Sequence, residues 1–212
     1  MLKKIELCIR DDPLPAEVLS WIIQSRQAVE AYQDVWDRNC IEQFVAADYE
    51  LVYRALREII QRKLATGRRF CEWGCGFGVI TLLAASLKLD AIGIEAESEL
   101  LGEAKKLAMQ WPYAAEFIHG NFLMPNAQRF ADDPTLPSLS HREPPAYRSM
   151  GLEIEDFAIV YGYPWPGEEF FFEAVFDAHA APGSLLLLFC GAYDIRLMRK
   201  HFVASNRSRS RS

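Results

Sequence analysis

Three glycines at alternate positions, Gly74, Gly76 and Gly78, follow an acidic residue, Glu72, at the end of a short apolar run that begins at Phe70. An apolar, helix-forming stretch follows over residues 79–89. The order is strand, tight turn, helix. Glycine lacks a Cβ, so such a turn can take positive φ and let a ligand touch bare backbone. The helix start adds unpaired N–H groups beside it. In an α/β sheet this arrangement makes a nucleotide-type pocket at the carboxyl ends of the strands. A second acid, Glu95, ends the apolar run Ala91-Ile92-Gly93-Ile94-Glu95. A carboxylate placed there can accept two hydrogen bonds from a ribose diol.

The spacing separates candidate ligands. A dinucleotide fingerprint reads G-x-G-x-x-G, but its third glycine position is here Val79, and the glycine falls one residue early, at Gly78. A nicotinamide oxidoreductase is therefore disfavoured. The pattern Glu72-x-Gly74-x-Gly76-x-Gly78, with Glu95 one strand later, instead resembles motif I of the class I S-adenosylmethionine (SAM) dependent methyltransferases. The resemblance covers about residues 44–200 and implies a Rossmann-like, doubly wound, mostly parallel sheet that binds SAM. It implies a cofactor set of Glu72, Gly74, Cys75, Gly76 and Gly78, with Glu95 on the ribose. Asn121 and Phe122 are placed at the adenine, and Tyr161, at the end of the fourth strand, is counted among the cofactor-binding residues. Asn121 is also a good turn former.

Motif IV, where the resembled family meets the methyl group and its acceptor, falls on Gly162-Tyr163-Pro164-Trp165. Many amine methyltransferases carry Asn or Asp at the first position, which here is glycine. The segment keeps rigidity from its prolines and aromatic surface that can face a cation. Tyr163 and Trp165 are accordingly the candidate catalytic residues. Glu168 and Glu169 could receive a proton or a cationic acceptor, although acids also suit a helix start. His119 has no acidic partner nearby in sequence and reads as a structural histidine. Methyl transfer needs alignment more than side-chain chemistry, so a missing catalytic triad does not count against an enzyme. No metal-ligand cluster is apparent in the sequence.

The elements that must position these residues alternate from residue 70 onward. Strands are predicted near 69–73, 90–94, 114–119, 156–161 and 184–190. Helices are predicted near 78–88, 97–110, 168–180 and 193–201. Such alternation implies a parallel sheet covered by helices on both faces. Upstream, residues 2–10 suggest a short strand, and residues 16–31 and 49–65 suggest helices, the second capped by Asp48. Residues 1–48 thus read as an N-terminal strand and helical cap, with residues 44–49 near the pocket. Residues 49–203 read as the SAM-binding domain and 204–212 as a disordered Arg-Ser tail. Some twenty residues follow the fifth core strand, too few for a helix and the family's closing antiparallel pair. The sheet is expected to be short unless residues 2–10 supplement an edge. Residues 123–153, with five prolines and Arg129, His141, Arg142 and Arg148, form either a substrate-facing lid or a surface insertion.

Composition fits this picture. The 212 residues are half apolar and a quarter charged, as in ordinary globular proteins. A net charge of -6 argues against a dominant electrostatic grip on nucleic acid. The five cysteines, Cys8, Cys40, Cys71, Cys75 and Cys190, show no disulfide framework and suggest reduced thiols in a cytoplasmic protein. No run is long enough for a membrane span. The expected activity is methyl transfer to a protein side chain such as lysine, or to a small molecule. A non-catalytic SAM-binding module acting through a partner protein is the alternative.

Overall fold

The computed structural model describes residues 1–34, 45–124, 143–191 and 194–202. A single seven-stranded sheet organises them, in the order β1-β7-β6-β5-β2-β3-β4. Its strands are β1 (Leu2–Ile5), β2 (Arg69–Trp73), β3 (Asp90–Glu95), β4 (Glu116–His119), β5 (Ile159–Gly162), β6 (Leu185–Phe189) and β7 (Ile195–Lys200). The helices are α1 (Ala16–Gln33), α2 (Tyr49–Gln61), α3 (Val79–Ser86), α4 (Ser98–Ala108), α5 (Tyr147–Met150) and α6 (Glu169–His179). Strands β2 to β6 run parallel. β7 is antiparallel to β6, and β1 is antiparallel to β7.

Both faces of the sheet are covered, which is why its strands are apolar along their length. Phe70, Ile159, Leu185 and Leu187 meet α2 and α3 on one face. Cys71, Val160, Leu186 and Leu188 meet α6 on the other, through Phe172, Val175 and Phe176. α2 presents Val52, Ala55, Leu56 and Ile59, all fully buried, and its larger side chains stabilise the fold by about 1.5–3 kcal/mol each. Asp48 starts this helix as expected, accepting from Leu51 N at 3.1 Å.

One predicted element has the wrong type. Residues 193–201 were expected to be helical, yet β7 occupies Ile195–Lys200. Leu, Met, Arg and Lys are good helix formers, but the bare edge of β6 offers a row of unpaired backbone groups. The alternation of Ile195 and Leu197 against Met198 then serves both cores. A short turn makes this possible: Cys190 N donates to Asp194 O at 2.8 Å, and Gly191 takes φ +111°. The sheet still reaches seven strands because β1 supplies the outer edge. This strand is shorter than residues 2–10; Leu7 and Ile9 pack on the core outside it.

Candidate functional site

The parallel register sets the site. Glu72 on β2 stands abreast of Gly93 on β3 and Tyr161 on β5, so the three share one face of the sheet. Beyond them the strands end in a cavity of about 800 Å³. Its floor is the turn after β2. Gly74, Gly76 and Gly78 adopt φ of +70°, +52° and +68°, conformations that strongly favour glycine.

The glycines divide their work. A Cβ on Gly74 would meet no atom within 4 Å, so the backbone there faces open space. Gly74, Cys75 and Gly76 all line the cavity. Gly78 does not: a Cβ there would overlap the Phe117 ring and come within 3.2 Å of Ala104. Gly78 therefore has a packing role, letting the start of α3 close against β4 and α4.

Two buried carboxylates hold the turn from either side. Glu95 Oε2 accepts from Gly76 N at 2.7 Å, and its Oε1 accepts from Glu97 N at 2.9 Å. Burial pushes the Glu95 carboxyl up, against the pull of these two N–H groups. Glu72 Oε2 accepts from Thr81 N at 2.8 Å and from the Thr81 hydroxyl. Burial drives the Glu72 pKa to about 8, with the Thr81 bonds opposing. Gly93 makes room for this arrangement, since a Cβ there would sit 2.8 Å from both Cys75 Sγ and Thr81 Oγ1.

The opposite wall comes from β5 and the segment after it. Tyr161 Oη is buried and has no hydrogen-bond partner among the described residues. Leaving such a donor unpaired costs about 1–3 kcal/mol, a cost that a bound ligand would offset. Burial raises the Tyr161 and Tyr49 pKa values, and the nearby Glu72 charge adds to both shifts. Tyr163 packs edge-on to Phe189 with ring centroids 4.8 Å apart. Trp165, 39% exposed, stands at the rim. Asn121 lines the cavity, but its Oδ1 accepts from Leu123 N at 2.9 Å, so its turn-forming role is realised. Phe122 stacks on Trp73 at 5.0 Å.

Glu72, Gly74, Cys75, Gly76, Glu95, Asn121, Phe122, Tyr161, Tyr163 and Trp165 thus meet around one cavity. His119 lies apart from it, with Nε2 2.8 Å from Ala96 O. Val45, Ala46 and Ala47 ahead of α2, and Tyr49 at its start, line the site, while Phe44 is outside the described residues. So are residues 125–142, on which the lid or insertion rests. From the rest of that long stretch, Leu123 reaches the cavity and Tyr147 braces it from behind, accepting from Trp73 Nε1 at 2.9 Å.

Several lining residues escaped the sequence reading. Glu97 and Glu99 follow Glu95 at alternate positions, a visible signal. Trp73 and Phe172, which carried no separate signal in the sequence, also line the cavity. The lining contains Glu72, Glu95, Glu97, Glu99 and Glu168 but no Lys, Arg or His among the described residues. Such a surface attracts cations and repels phosphates. No group of His, Cys, Asp and Glu that could hold a metal ion occurs among the described residues. No described helix is long and apolar enough to cross a membrane.

No protein-family model matches the chain, and no curated protein matches it in sequence. Solved structures do resemble it. The RNA methyltransferase from Salinibacter ruber, in complex with S-adenosyl-L-homocysteine, superimposes with a TM-score of 0.50 at 16% identity, over 74% of this chain and 92% of that one. The magnesium protoporphyrin IX methyltransferase from Synechocystis PCC 6803, with the same ligand bound, gives 0.45 at 15% identity, over 78% and 66%. The fold of this chain is that of the class I S-adenosylmethionine-dependent methyltransferases.

Proposed function

We propose that the protein is a SAM-dependent methyltransferase acting on a protein side chain, such as lysine, or on a small molecule. The observation that carries this reading is the cavity itself: an open glycine turn, a strand-end carboxylate hydrogen-bonded to it, and walls of acid and aromatic groups without a counter-cation among the described residues. These residues fit SAM, a sulfonium that also carries an ammonium, better than a dinucleotide, whose pyrophosphate would find no Lys, Arg or His in the described lining. The methyltransferase structures of like fold support the same activity class.

Bound SAM would supply an electrophilic methyl group on sulfur. The chain's part is to bind and align. Gly74 to Gly76 offer backbone without side-chain obstruction, and Glu95 takes the ribose diol. Tyr161 Oη donates to a polar group of the ligand. Tyr163 and Trp165 face the methyl group and exclude water, which favours transfer over hydrolysis. Gly162, standing where amine methyltransferases of the family carry Asn or Asp, favours a second reading: a SAM-binding module that acts through a partner.

Transfer of label from methyl-labelled SAM to fractionated lysate and metabolites tests both readings. The enzyme reading expects one labelled acceptor class that is lost in Gly76→Val. SAM binding with no labelled product in any fraction would favour the module.

A further inference from the structure

Building on the methyltransferase reading, we propose that the methyl acceptor is an aliphatic amine, received as its ammonium by Glu168 beside the rings of Tyr163 and Trp165. The argument begins with what position 162 cannot do. A Cβ on Gly162 would lie 2.5 Å from Phe172 Cε1 and 2.8 Å from its Cδ1. The Phe172 ring therefore fills the space in which a polar side chain at the strand end would have met an acceptor.

Farther along the same segment, Glu168 brings a carboxylate to the cavity wall. Its residue is only 4% exposed, and its Oε2 accepts from Trp165 N at 3.2 Å, which ties the carboxylate to the aromatic rim. Burial raises its pKa, as expected for an acid poised to exchange a proton with a ligand. Its neighbour Glu169 is spent elsewhere: it accepts from Gly167 N at 2.8 Å and does not line the cavity.

The surroundings select charge. An ammonium between a carboxylate and aromatic faces gains ion pairing and cation–π attraction together. A carboxylate or phosphate acceptor would find no cation to pair with among the described lining residues. The step balances with these groups alone. Glu168 takes one N–H proton from the ammonium, and the freed lone pair forms the N–C bond. The C–S electron pair stays on sulfur, leaving S-adenosylhomocysteine, and the methylated ammonium keeps the positive charge. The proton on Glu168 passes to water as product leaves.

Calorimetry on the full chain saturated with S-adenosylhomocysteine tests the proposal without relying on turnover. The probes are cadaverine, pentanediol and glutarate, which share a carbon chain but differ in charge, and a lysine peptide with its acetyl-lysine counterpart. The expectation is binding of cadaverine or the lysine peptide, with the uncharged and anionic partners at least about tenfold weaker. Glu168→Gln should lose about 10–100-fold for the bound amine and leave S-adenosylhomocysteine affinity unchanged. Binding of the peptide without cadaverine assigns the amine to a protein; the reverse assigns it to a small molecule. Equal binding of pentanediol, retention of the amine by Glu168→Gln, or no amine binding at all overturns the proposal. Failure of the wild type to bind S-adenosylhomocysteine is a separate result, which removes the methyltransferase reading beneath it.

Discussion

Replacing Glu95 separates the two tasks that its geometry combines. The carboxylate accepts from Gly76 N at 2.7 Å and from Glu97 N at 2.9 Å while 7% exposed. Each charge-assisted bond is worth about 1.5–3 kcal/mol. Glu95→Ala removes both, a gross loss of about 3–6 kcal/mol on that scale. It also relieves the desolvation of a buried carboxylate, itself several kcal/mol. The net destabilisation of the unliganded protein should be about 1–3 kcal/mol. Binding should fall further through loss of the diol acceptor, by about 1.5–3 kcal/mol or roughly 10–150-fold. Thermal melts without ligand measure the first quantity. Titration with S-adenosylhomocysteine and with its analogue lacking the ribose hydroxyls measures the second. In the wild type the analogue binds more weakly; in Glu95→Ala the two ligands bind alike, because the partners are coupled. If the analogue's penalty persists undiminished in a folded Glu95→Ala, the ribose assignment is wrong.

Three other perturbations have worked signs. Glu72 has a pKa of about 8 in the fold against an unfolded value near 4.3, so protonation favours the folded state. Its contribution, about 5 kcal/mol as an upper bound, is full below about pH 4.3 and is lost as pH rises through about 8; Glu72→Gln should flatten that part of a melting-temperature profile, and an unchanged slope would refute the assignment. Gly74→Ala and Gly78→Ala should differ although both glycines have positive φ: the first costs about 1–2 kcal/mol of backbone strain, and the second adds about 1–3 kcal/mol for crowding Phe117. Equal urea midpoints would contradict the division of labour between them. Gly162→Asn, which installs the side chain familiar from amine methyltransferases, should destabilise by about 1–3 kcal/mol against Phe172, and that added penalty should shrink when measured in a Phe172→Ala background; an undiminished penalty would refute the clash.

Local signals announced most of the fold. Helices α1, α2, α3, α4 and α6, which carry the core, reveal themselves through apolar spacing, and Asp48 through capping chemistry; the short α5 lies in the stretch read as a lid or insertion and had no such signal. The glycine turn and Glu95 were legible because close backbone approach and strand-end acids leave few substitutes. β7 was hidden because its residues favour a helix when considered alone; only the open edge of β6, a non-local partner, decides otherwise. The packing of Gly78 on Phe117 was not legible, because a glycine required for positive φ looks the same in sequence whether it faces a ligand or a neighbouring ring. Glu168 and Glu169 were indistinguishable for a similar reason. Both suit the start of α6, and only the folded chain shows that Glu168 lines the cavity and Glu169 does not. The glycine at position 162 was visible, but its consequence required knowing where Phe172 packs.

Calorimetric titration with SAM, S-adenosylhomocysteine and NAD tests the central claim most directly. The account predicts that the two adenosyl amino-acid ligands bind, that both are lost in Gly76→Val, and that NAD gives no heat of binding. Binding of NAD alone would contradict it.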